Sequence, residues 1–285
     1  MKNFDFINAA SLDDAIAILA EKGEKACLCA GATNVMVDIR TKKINDKVLV
    51  NIRDIAELKG INFSDGIISI GALTPIAVLT KSDILKGYAP ALFMAANDFA
   101  DPVTINSATI GGNIADASPA ADTAPSLLAL DAKINVVSKK GKREIPVDQF
   151  FKGVRKTDLA PDEIITSISF IPAAASGFYK IGLRNAMAIS VATAAASVKL
   201  DKNGNIADCK LALGSVAPTP LRAKNAEAFL NGKKPDKETL AGMAEAIQED
   251  INPIDDIRAT AAYRRQVAPV CAKRAINFAL YGECQ

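Results

Sequence analysis

Histidine is absent from this chain of 285 residues. No imidazole can therefore act as a catalytic base, bind a metal ion or carry a covalently linked flavin in this protein. Every enzyme class that depends on one of these three groups is excluded before any motif is considered.

The chain also lacks an excess of charge of one sign. It has 34 lysine and arginine residues against 32 acidic ones, which gives a formal net charge of +2. The densest basic run is residues 139–143, and its central Gly141 is typical of a turn between two strands. We therefore predict a hairpin at this position and no nucleic-acid partner.

The chain has few cysteines, and their spacing does not suggest a metal or iron–sulfur site. The five residues are Cys27, Cys29, Cys209, Cys271 and Cys284, without a C-x-x-C pair. Cys27 and Cys29 would share one face of a strand, but the sequence around them offers no further metal ligands. The pattern favours reduced thiols in a cytoplasmic protein and no metal site in this chain.

Long hydrophobic runs are missing as well. No stretch approaches the ~20 apolar residues that span a bilayer, and the first six residues lack the apolar core of a signal peptide. The alanine-rich stretch 190–200 is too short to span and is predicted to be a buried strand. We expect no membrane span.

What remains is an ordinary globular composition, with 49% hydrophobic and 23% charged residues. The length favours more than one core. The patterns of apolar residues and turns predict an α+β fold with three units, over residues 1–56, 57–172 and 177–285. The small-residue stretch 172–177 is the predicted linker between the second and third units.

Capping and turn residues predict several element bounds. Ser11 and Gly23 should begin and end the first helix, Asp65 and Gly66 should form a hairpin turn, and Thr74 should cap a helix that starts at Pro75. Further helices are predicted over 84–100, 118–130, 221–230, 236–249 and 257–281, and antiparallel strands over 177–183, 190–201 and 206–215.

Two segments of small residues are candidates for binding phosphate groups: residues 30–34 and the run 108–122, which contains Gly111 and Gly112. Glycine lets the backbone approach a ligand, and main-chain amides can point at an anion. Neither segment contains a cation, so main-chain hydrogen bonds, worth about 1.5–3 kcal/mol each to a charged group, would hold the phosphates. Each segment alone could be an ordinary turn, and it is the pair that indicates one diphosphate site.

The chain resembles the FAD-binding subunit of the molybdenum hydroxylases, the flavin subunit of bacterial xanthine dehydrogenase and carbon monoxide dehydrogenase complexes. The resemblance runs in order along nearly the whole chain. The segments that carry it are residues 30–35, 70–74, 108–125, 213–224 and 263–265, among which the Thr-Ile-Gly-Gly-Asn-Ile string from Thr109 is the most specific.

The resemblance implies a two-subdomain FAD-binding domain of the vanillyl-alcohol-oxidase type, followed by a C-terminal domain with an antiparallel sheet and helices. It implies non-covalent FAD, a molybdopterin-binding large subunit and a small subunit with two [2Fe-2S] clusters, in a heterotrimer or its dimer. Electrons would pass from the clusters through FAD to NAD or another acceptor. A non-catalytic nucleotide-binding assembly module of such a complex is the alternative.

The resemblance also implies a set of FAD contacts, none of them a catalytic residue. It places Asp122 near the adenosine end of FAD and Phe99 near the flavin. The implied contacts are Leu28, Cys29, Ala30, Gly31, Ala32, Thr33, Asn34, Val35, Met36, Phe99, Thr109, Ile110, Gly111, Gly112, Asn113, Asp122, Ile165 and Lys180.

Ala32 and Asn34 depart from the family, which often has glycine and aspartate at these positions. We expect Ala32 to adopt a negative φ, because a residue with a side chain rarely adopts a positive one. We also expect Gly111→Val to abolish flavin retention while leaving the fold largely intact.

Overall fold

The computed structural model describes residues 4–283. Within them, three sheets form the centres of three units, and a two-stranded hairpin adds to the second. The architecture is α+β, as predicted.

The first unit surrounds a parallel three-stranded sheet with strand order β1-β3-β2. Ser11 caps α1 by accepting a hydrogen bond from the amide of Asp14, and Gly23 ends the helix at φ +52°. Ala15 and Leu19 of α1 pack on Val50, which gives the unit a small core. The elements are β1 (Phe6–Asn8), α1 (Leu12–Lys22), β2 (Ala26–Cys29), α2 (Val35–Arg40) and β3 (Val48–Asn51), with short 3-10 helices at Gly23–Lys25 and Ala56–Leu58.

The second unit surrounds a five-stranded antiparallel sheet with strand order β4-β5-β10-β6-β7. Asp65 and Gly66 turn β4 into β5, and Gly141 turns β6 into β7, so both predicted hairpins are confirmed. The strands are β4 (Ile61–Ser64), β5 (Ile67–Gly71), β6 (Lys133–Ser138), β7 (Gly141–Pro146), β8 (Phe151–Gly153), β9 (Lys156–Thr157) and β10 (Ile164–Phe170). The helices are α3 (Ile76–Leu79), α4 (Asp83–Tyr88), α5 (Pro90–Asn97), α6 (Pro102–Ser107), α7 (Ile110–Ala115), α8 (Thr123–Ala129) and α9 (Val147–Phe150).

The third unit has an antiparallel sheet, β11-β12-β13-β14, covered by helices. Gly204, at φ +77°, lies in the predicted turn between β12 and β13. The long helix α12 packs against β11 and β12. The elements are β11 (Ser176–Gly182), β12 (Ser190–Leu200), β13 (Ile206–Gly214), β14 (Leu221–Arg222), α10 (Lys224–Leu230), α11 (Lys237–Asp250) and α12 (Ala261–Tyr281).

Four predicted helices were wrong in their bounds. The helix predicted over 257–281 begins only at Ala261, because Thr260 caps it by accepting from the amide of Tyr263. The helix predicted over 84–100 is divided into α4 and α5, because Ala89 before Pro90 leaves the helical region. The helix predicted from residue 221 starts at Lys224, because Leu221 and Arg222 pair with β13 instead. The helix predicted over 118–130 is only Thr123–Ala129, since Ser118 accepts from the amide of Ala120 in a turn.

The predicted cap at Thr74 was also wrong. Its hydroxyl donates to the carbonyl of Gly60 and accepts from the amide of the same residue, so it joins the start of β4 to the end of β5. The helix that follows begins at Ile76 without a side-chain cap. A buried hydroxyl with two main-chain partners is better satisfied here than at a helix end.

Among residues 4–283, no helix combines the length and the apolar character needed to cross a membrane.

Candidate functional site

A cavity of about 600 Å³ lies between the first and second units. It is lined by the turn after β2, by the start of α7, by Phe99 and Ala100, and by Ile164 and Ile165 of β10. The third unit contributes Ile189. Cofactor-binding clefts span about 300–1,000 Å³, so the cavity is large enough for a small cofactor.

The turn after β2 offers unused hydrogen-bond donors to this cavity. Within residues 4–283, the main-chain amides of Gly31, Ala32, Thr33 and Asn34 donate to no protein acceptor. All four residues line the cavity. Unpartnered amides in a row are suited to an anion, because each supplies a donor without a compensating carboxylate.

The backbone of this turn differs from the prediction at one residue. Ala32 has φ +58°, in the left-handed region, where we expected a negative value. The turn requires this conformation because the chain reverses from β2 into α2, with the carbonyl of Ala32 accepting from the amide of Met36. The glycine that the family often has at this position would adopt it without strain.

Gly31 is required by packing between the first two units. A Cβ atom at this position would lie 1.8 Å from the carbonyl oxygen of Ser107 and 3.1 Å from the Cα of Ala108. The two backbones therefore approach each other too closely for any side chain. Gly31 brings the turn after β2 against the segment that leads into α7.

The second predicted segment contains the start of a helix, and the amides from Ile110 to Asn113 already donate to protein acceptors. Thr109 caps α7, and its hydroxyl accepts from the amide of Gly112 at 3.1 Å. The amide of Ile110 donates to Thr74, that of Gly111 to Ala72, and that of Asn113 to the carbonyl of Thr109. The expectation that main-chain hydrogens of both segments hold a diphosphate therefore stays a prediction, which in the second segment rests on the amides of Thr109 and Ser118, since within residues 4–283 these two cavity-lining residues have no protein acceptor for their amides.

Gly111 lines the cavity, and on its other side it packs tightly against Ala72. A Cβ atom there would lie 2.7 Å from both the Cβ and the carbonyl oxygen of Ala72. The expectation that Gly111→Val leaves the fold largely intact is therefore contradicted, because valine would push α7 away from the end of β5.

Side chains of the second segment still provide donors. The Thr109 hydroxyl accepts from Gly112 and keeps its own hydrogen. The Oδ1 atom of Asn113 accepts from the hydroxyl of Thr123 at 2.6 Å, which leaves the NH₂ group of Asn113 free to donate. Both residues line the cavity, as do the free amides of the turn.

Most of the predicted contacts are brought together. Those that line the cavity are Leu28, Ala30, Gly31, Ala32, Thr33, Asn34, Val35, Phe99, Thr109, Gly111, Gly112, Asn113 and Ile165. Those that do not line it are Cys29, Met36, Ile110, Asp122 and Lys180. Cys29 and Ile110 are buried in the protein interior because their positions on β2 and α7 face inward.

Asp122 and Lys180 form a buried ion pair behind the cavity. The Lys180 Nζ atom lies 2.7 Å from Asp122 Oδ2 and donates to the carbonyl of Asp98 at 2.8 Å. The Ser190 hydroxyl also donates to Asp122. Burial raises the pKa of the Asp122 carboxyl, and Lys180 and Ser190 offset part of that rise.

This pair connects two parts of the cavity wall. Asp98 precedes Phe99, and Ser190 follows Ile189, and both of these neighbours line the cavity. Asp122 is thus joined through one ammonium group to the segment of Phe99. The placement of Asp122 near the adenosine end of FAD and of Phe99 near the flavin stays a prediction.

The sequence prediction missed three carboxylates in the cavity lining: Asp38, Asp116 and Glu163. Within the described residues 4–283, no lysine or arginine lines the cavity. Glu163 is paired with Arg143, whose Nε atom lies 2.6 Å from Oε1. This bond lowers the pKa of Glu163. No local motif marks these acids, because their partners come from distant parts of the chain.

The thiols show no sign of a metal centre. No group of three or more potential ligands occurs among residues 4–283. Burial raises the pKa of Cys27 and of Cys29. These two side chains are therefore protonated near neutral pH and poor metal ligands.

Comparisons with known proteins agree along the whole chain. Residues 2–174 match the family described as the FAD binding domain in molybdopterin dehydrogenase, and residues 177–279 match the CO dehydrogenase flavoprotein C-terminal domain. The chain is 35% identical to the xanthine dehydrogenase FAD-binding subunit of Escherichia coli O157:H7, with 97% of each chain covered. It is 32% identical to the carbon monoxide dehydrogenase medium chain of Hydrogenophaga pseudoflava, covering 97% of this chain and 96% of the relative.

Solved structures show the same relationship. The crystal structure of the Cu,Mo-CO dehydrogenase in its cyanide-inactivated form matches with a TM-score of 0.92, at 30% identity over 97% of each chain. Quinoline 2-oxidoreductase from Pseudomonas putida 86 matches with a TM-score of 0.91, at 29% identity over the full length of both chains. The fold and the cavity define a flavoprotein subunit of an oxidoreductase. The chain belongs to the FAD-binding subunits of the molybdopterin dehydrogenases, as its sequence motifs predicted.

Proposed function

We propose that this subunit binds one FAD non-covalently in the cavity between its first two units and relays electrons through it. The partners would be a molybdopterin-binding large subunit and a [2Fe-2S] small subunit, in a heterotrimer or its dimer. Bound FAD would accept electrons from the clusters and pass them to NAD or another acceptor. The cytoplasm is the proposed location, since the four cysteines within residues 4–283 are free thiols, which suit a reducing compartment.

The observation that carries this proposal is the row of four unpartnered amides from Gly31 to Asn34. A diphosphate in a partly buried site loses several kcal/mol of hydration. Hydrogen bonds from amides to a charged group contribute about 1.5–3 kcal/mol each, so three or four of them offset that loss. The hydroxyl of Thr109 and the NH₂ group of Asn113 add two donors from the second segment.

The remaining wall suits the rest of the cofactor. Phe99, Ile165 and Ile189 present apolar surface to the cavity, on which an isoalloxazine or adenine ring can pack. Asp122 and Lys180 would act behind this wall by fixing the positions of Phe99 and Ile189. We propose that the units predicted over 1–56 and 57–172 clasp the cofactor, while the unit predicted over 177–285 closes one side.

The test is reconstitution of the purified chain with FAD, followed by reduction. Bound flavin should bleach on addition of NADH or of reduced partner subunits under anaerobic conditions. FAD that binds but is reduced by neither donor would contradict the electron-transfer role. A chain that leaves FAD absorbance and fluorescence unchanged would contradict the binding proposal and favour an assembly module.

The variants Asn113→Ala and Asn205→Ala provide a matched comparison. Asn113 lines the cavity, whereas Asn205 lies in the turn before β13 and bonds only to Asp201 there. We expect about a tenfold loss of FAD affinity for the first, from one hydrogen bond to a charged group. The second should bind FAD as the unchanged chain does.

A further inference from the structure

Arg155 lies between two carboxylates of the cavity that come from different units. Its NH1 atom is 2.6 Å from Asp38 Oδ2 on α2 of the first unit. Its NH2 atom is 3.5 Å from Asp116 Oδ1, at the end of α7 in the second unit. The carboxylates are largely buried, with 11% and 14% of their side chains exposed. One guanidinium thus partners two acids and joins two units.

The backbone at Arg155 is held in an unfavourable conformation. Arg155 is at the tip of the hairpin formed by β8 and β9, with φ +54°. Its amide donates to the carbonyl of Ala117 at 3.0 Å, which ties the hairpin to the residue after Asp116. Glycine or asparagine would suit this turn better. A residue with a long cationic side chain at such a position points to a role for its charge.

The charges around the cavity show what that role is. The lining contains Asp38, Asp116 and Glu163 but no lysine or arginine. Glu163 is neutralised by Arg143. Among residues 4–283, the only cation besides Arg155 within 4 Å of Asp38 is Lys43, whose Nζ atom lies at 3.9 Å, and Asp116 has no cation within 4 Å other than Arg155. Without Arg155, two carboxylates would face a diphosphate with little compensation.

We propose that Arg155 is a positioning residue for FAD, which retains the cofactor by neutralising Asp38 and Asp116 and by fastening the two units around the cavity. This inference rests on the proposed binding of FAD in the cavity. It requires no contact between Arg155 and the cofactor. Arg155 would thus be a cation that serves the diphosphate site, although it lies outside both small-residue segments, 30–34 and 108–122.

The test compares Arg155→Gln with Arg222→Gln by titration of the apo chain with FAD. Arg222 is a matched control, because it also bridges two carboxylates, Asp131 and Glu227, neither of which lines the cavity. The interaction between two unit charges ~10 Å apart, at an effective dielectric constant of ~20, changes a binding constant roughly ten- to thirtyfold. We expect FAD affinity to fall by about this factor for Arg155→Gln and to stay unchanged for Arg222→Gln.

Two further measurements separate charge from shape. Asp116→Asn in the Arg155→Gln background should recover most of the lost affinity, and Asp116→Asn alone should bind FAD at least as tightly as the unchanged chain. The deficit of Arg155→Gln should shrink between about 0.1 M and 1 M ionic strength, as the screening length falls from about 10 Å to about 3 Å. Arg155→Asn, which suits the turn, serves if the glutamine variant does not fold.

The outcomes distinguish this inference from the function on which it rests. If the unchanged chain binds no FAD, the proposed function fails. If it binds FAD and Arg155→Gln binds it equally well, the role of Arg155 is overturned while the function stands. A loss that neither Asp116→Asn nor salt reduces would assign Arg155 a purely structural role and would also overturn the inference.

Discussion

At the scale of single residues, Ala32 combines a functional position with a strained backbone. Its φ of +58° costs a residue with a Cβ atom about 1 kcal/mol relative to glycine. The neighbouring amides of the turn are those that make no bond within the described part of the chain. The left-handed conformation of Ala32 therefore helps to set the direction of these free amides.

We predict that Ala32→Gly stabilises the apo chain by about 0.5–1 kcal/mol, because glycine adopts the left-handed conformation without a steric cost. Urea unfolding monitored by circular dichroism measures the change. The matched control is Ala30→Gly in the same turn, where φ is not positive, and it should destabilise the chain by a similar amount. Equal losses of stability in both variants would contradict the strain at Ala32.

A second prediction concerns Gly111. Gly111→Ala should lower stability by about 1–3 kcal/mol, because its Cβ atom would lie 2.7 Å from Ala72 and force α7 away from β5. The control is Gly87→Ala in α4, where a Cβ atom meets nothing within 4 Å. That change should stabilise the chain by about 0.5–1 kcal/mol through helix propensity. Urea unfolding measures the stability of both variants. An unchanged free energy of unfolding for Gly111→Ala would contradict the tight packing of Gly111 against Ala72.

At the scale of elements, the Asp122–Lys180 pair joins the start of α8 to β11 of the third unit. Both side chains are less than a tenth exposed. Removing one member leaves an uncompensated charge, which costs about 3–5 kcal/mol in a buried site. Removing both leaves no such charge.

We therefore expect Lys180→Met to destabilise the chain by about 3–5 kcal/mol, and Asp122→Asn with Lys180→Met to cost clearly less than the sum of the two single changes. A double-mutant cycle in urea measures the coupling. Additivity within about 0.5 kcal/mol would show that the two charges do not depend on each other. The cycle Lys133→Met with Glu144→Gln, a pair more than half exposed, should show a coupling of no more than about 1 kcal/mol.

Elements with local signals were predictable from the sequence, and elements fixed by tertiary contacts were not. The first helix has its own cap and stop in Ser11 and Gly23, so its bounds agree with the prediction. The helix α7 has two glycines in its first turn, which disfavour a helix, and it forms because Ala72 and Thr74 accept the amides of Gly111 and Ile110. Ser118 imitates a cap, but its hydroxyl closes a turn.

The same distinction applies to the site. The turn at residues 30–34 was predictable, because its small residues are adjacent in the sequence. The salt bridge of Arg155 with Asp38 joins residues that are 117 positions apart, and no local pattern reports it. The hydrogen bond from the amide of Gly111 to the carbonyl of Ala72 likewise has no local sequence signal, because it forms only when α7 packs against the end of β5.

At the scale of the whole molecule, all three units contribute to the cavity wall. The third unit is fastened to the second by the buried Asp122–Lys180 pair. The first unit is joined to the second by Arg155 and by the close approach at Gly31. A ligand that fills the cavity therefore contacts parts that would separate on unfolding, and its binding energy adds to the stability of the whole chain.

Thermal unfolding with different flavins tests how much of the cavity is used. FAD at about 100 times its dissociation constant should add about 2.7 kcal/mol to the stability of the apo chain, which raises Tm by roughly 5–10 °C for a protein of this size. FMN carries one phosphate and no adenosine, and riboflavin carries no phosphate. If the amides from Gly31 to Asn34 hold the diphosphate while Phe99 and Ile189 pack on rings, both smaller flavins should raise Tm less than FAD at equal concentration, with riboflavin the weakest. Equal shifts for FAD and riboflavin would mean that the row of amides holds no phosphate, since the difference between these ligands includes the whole diphosphate.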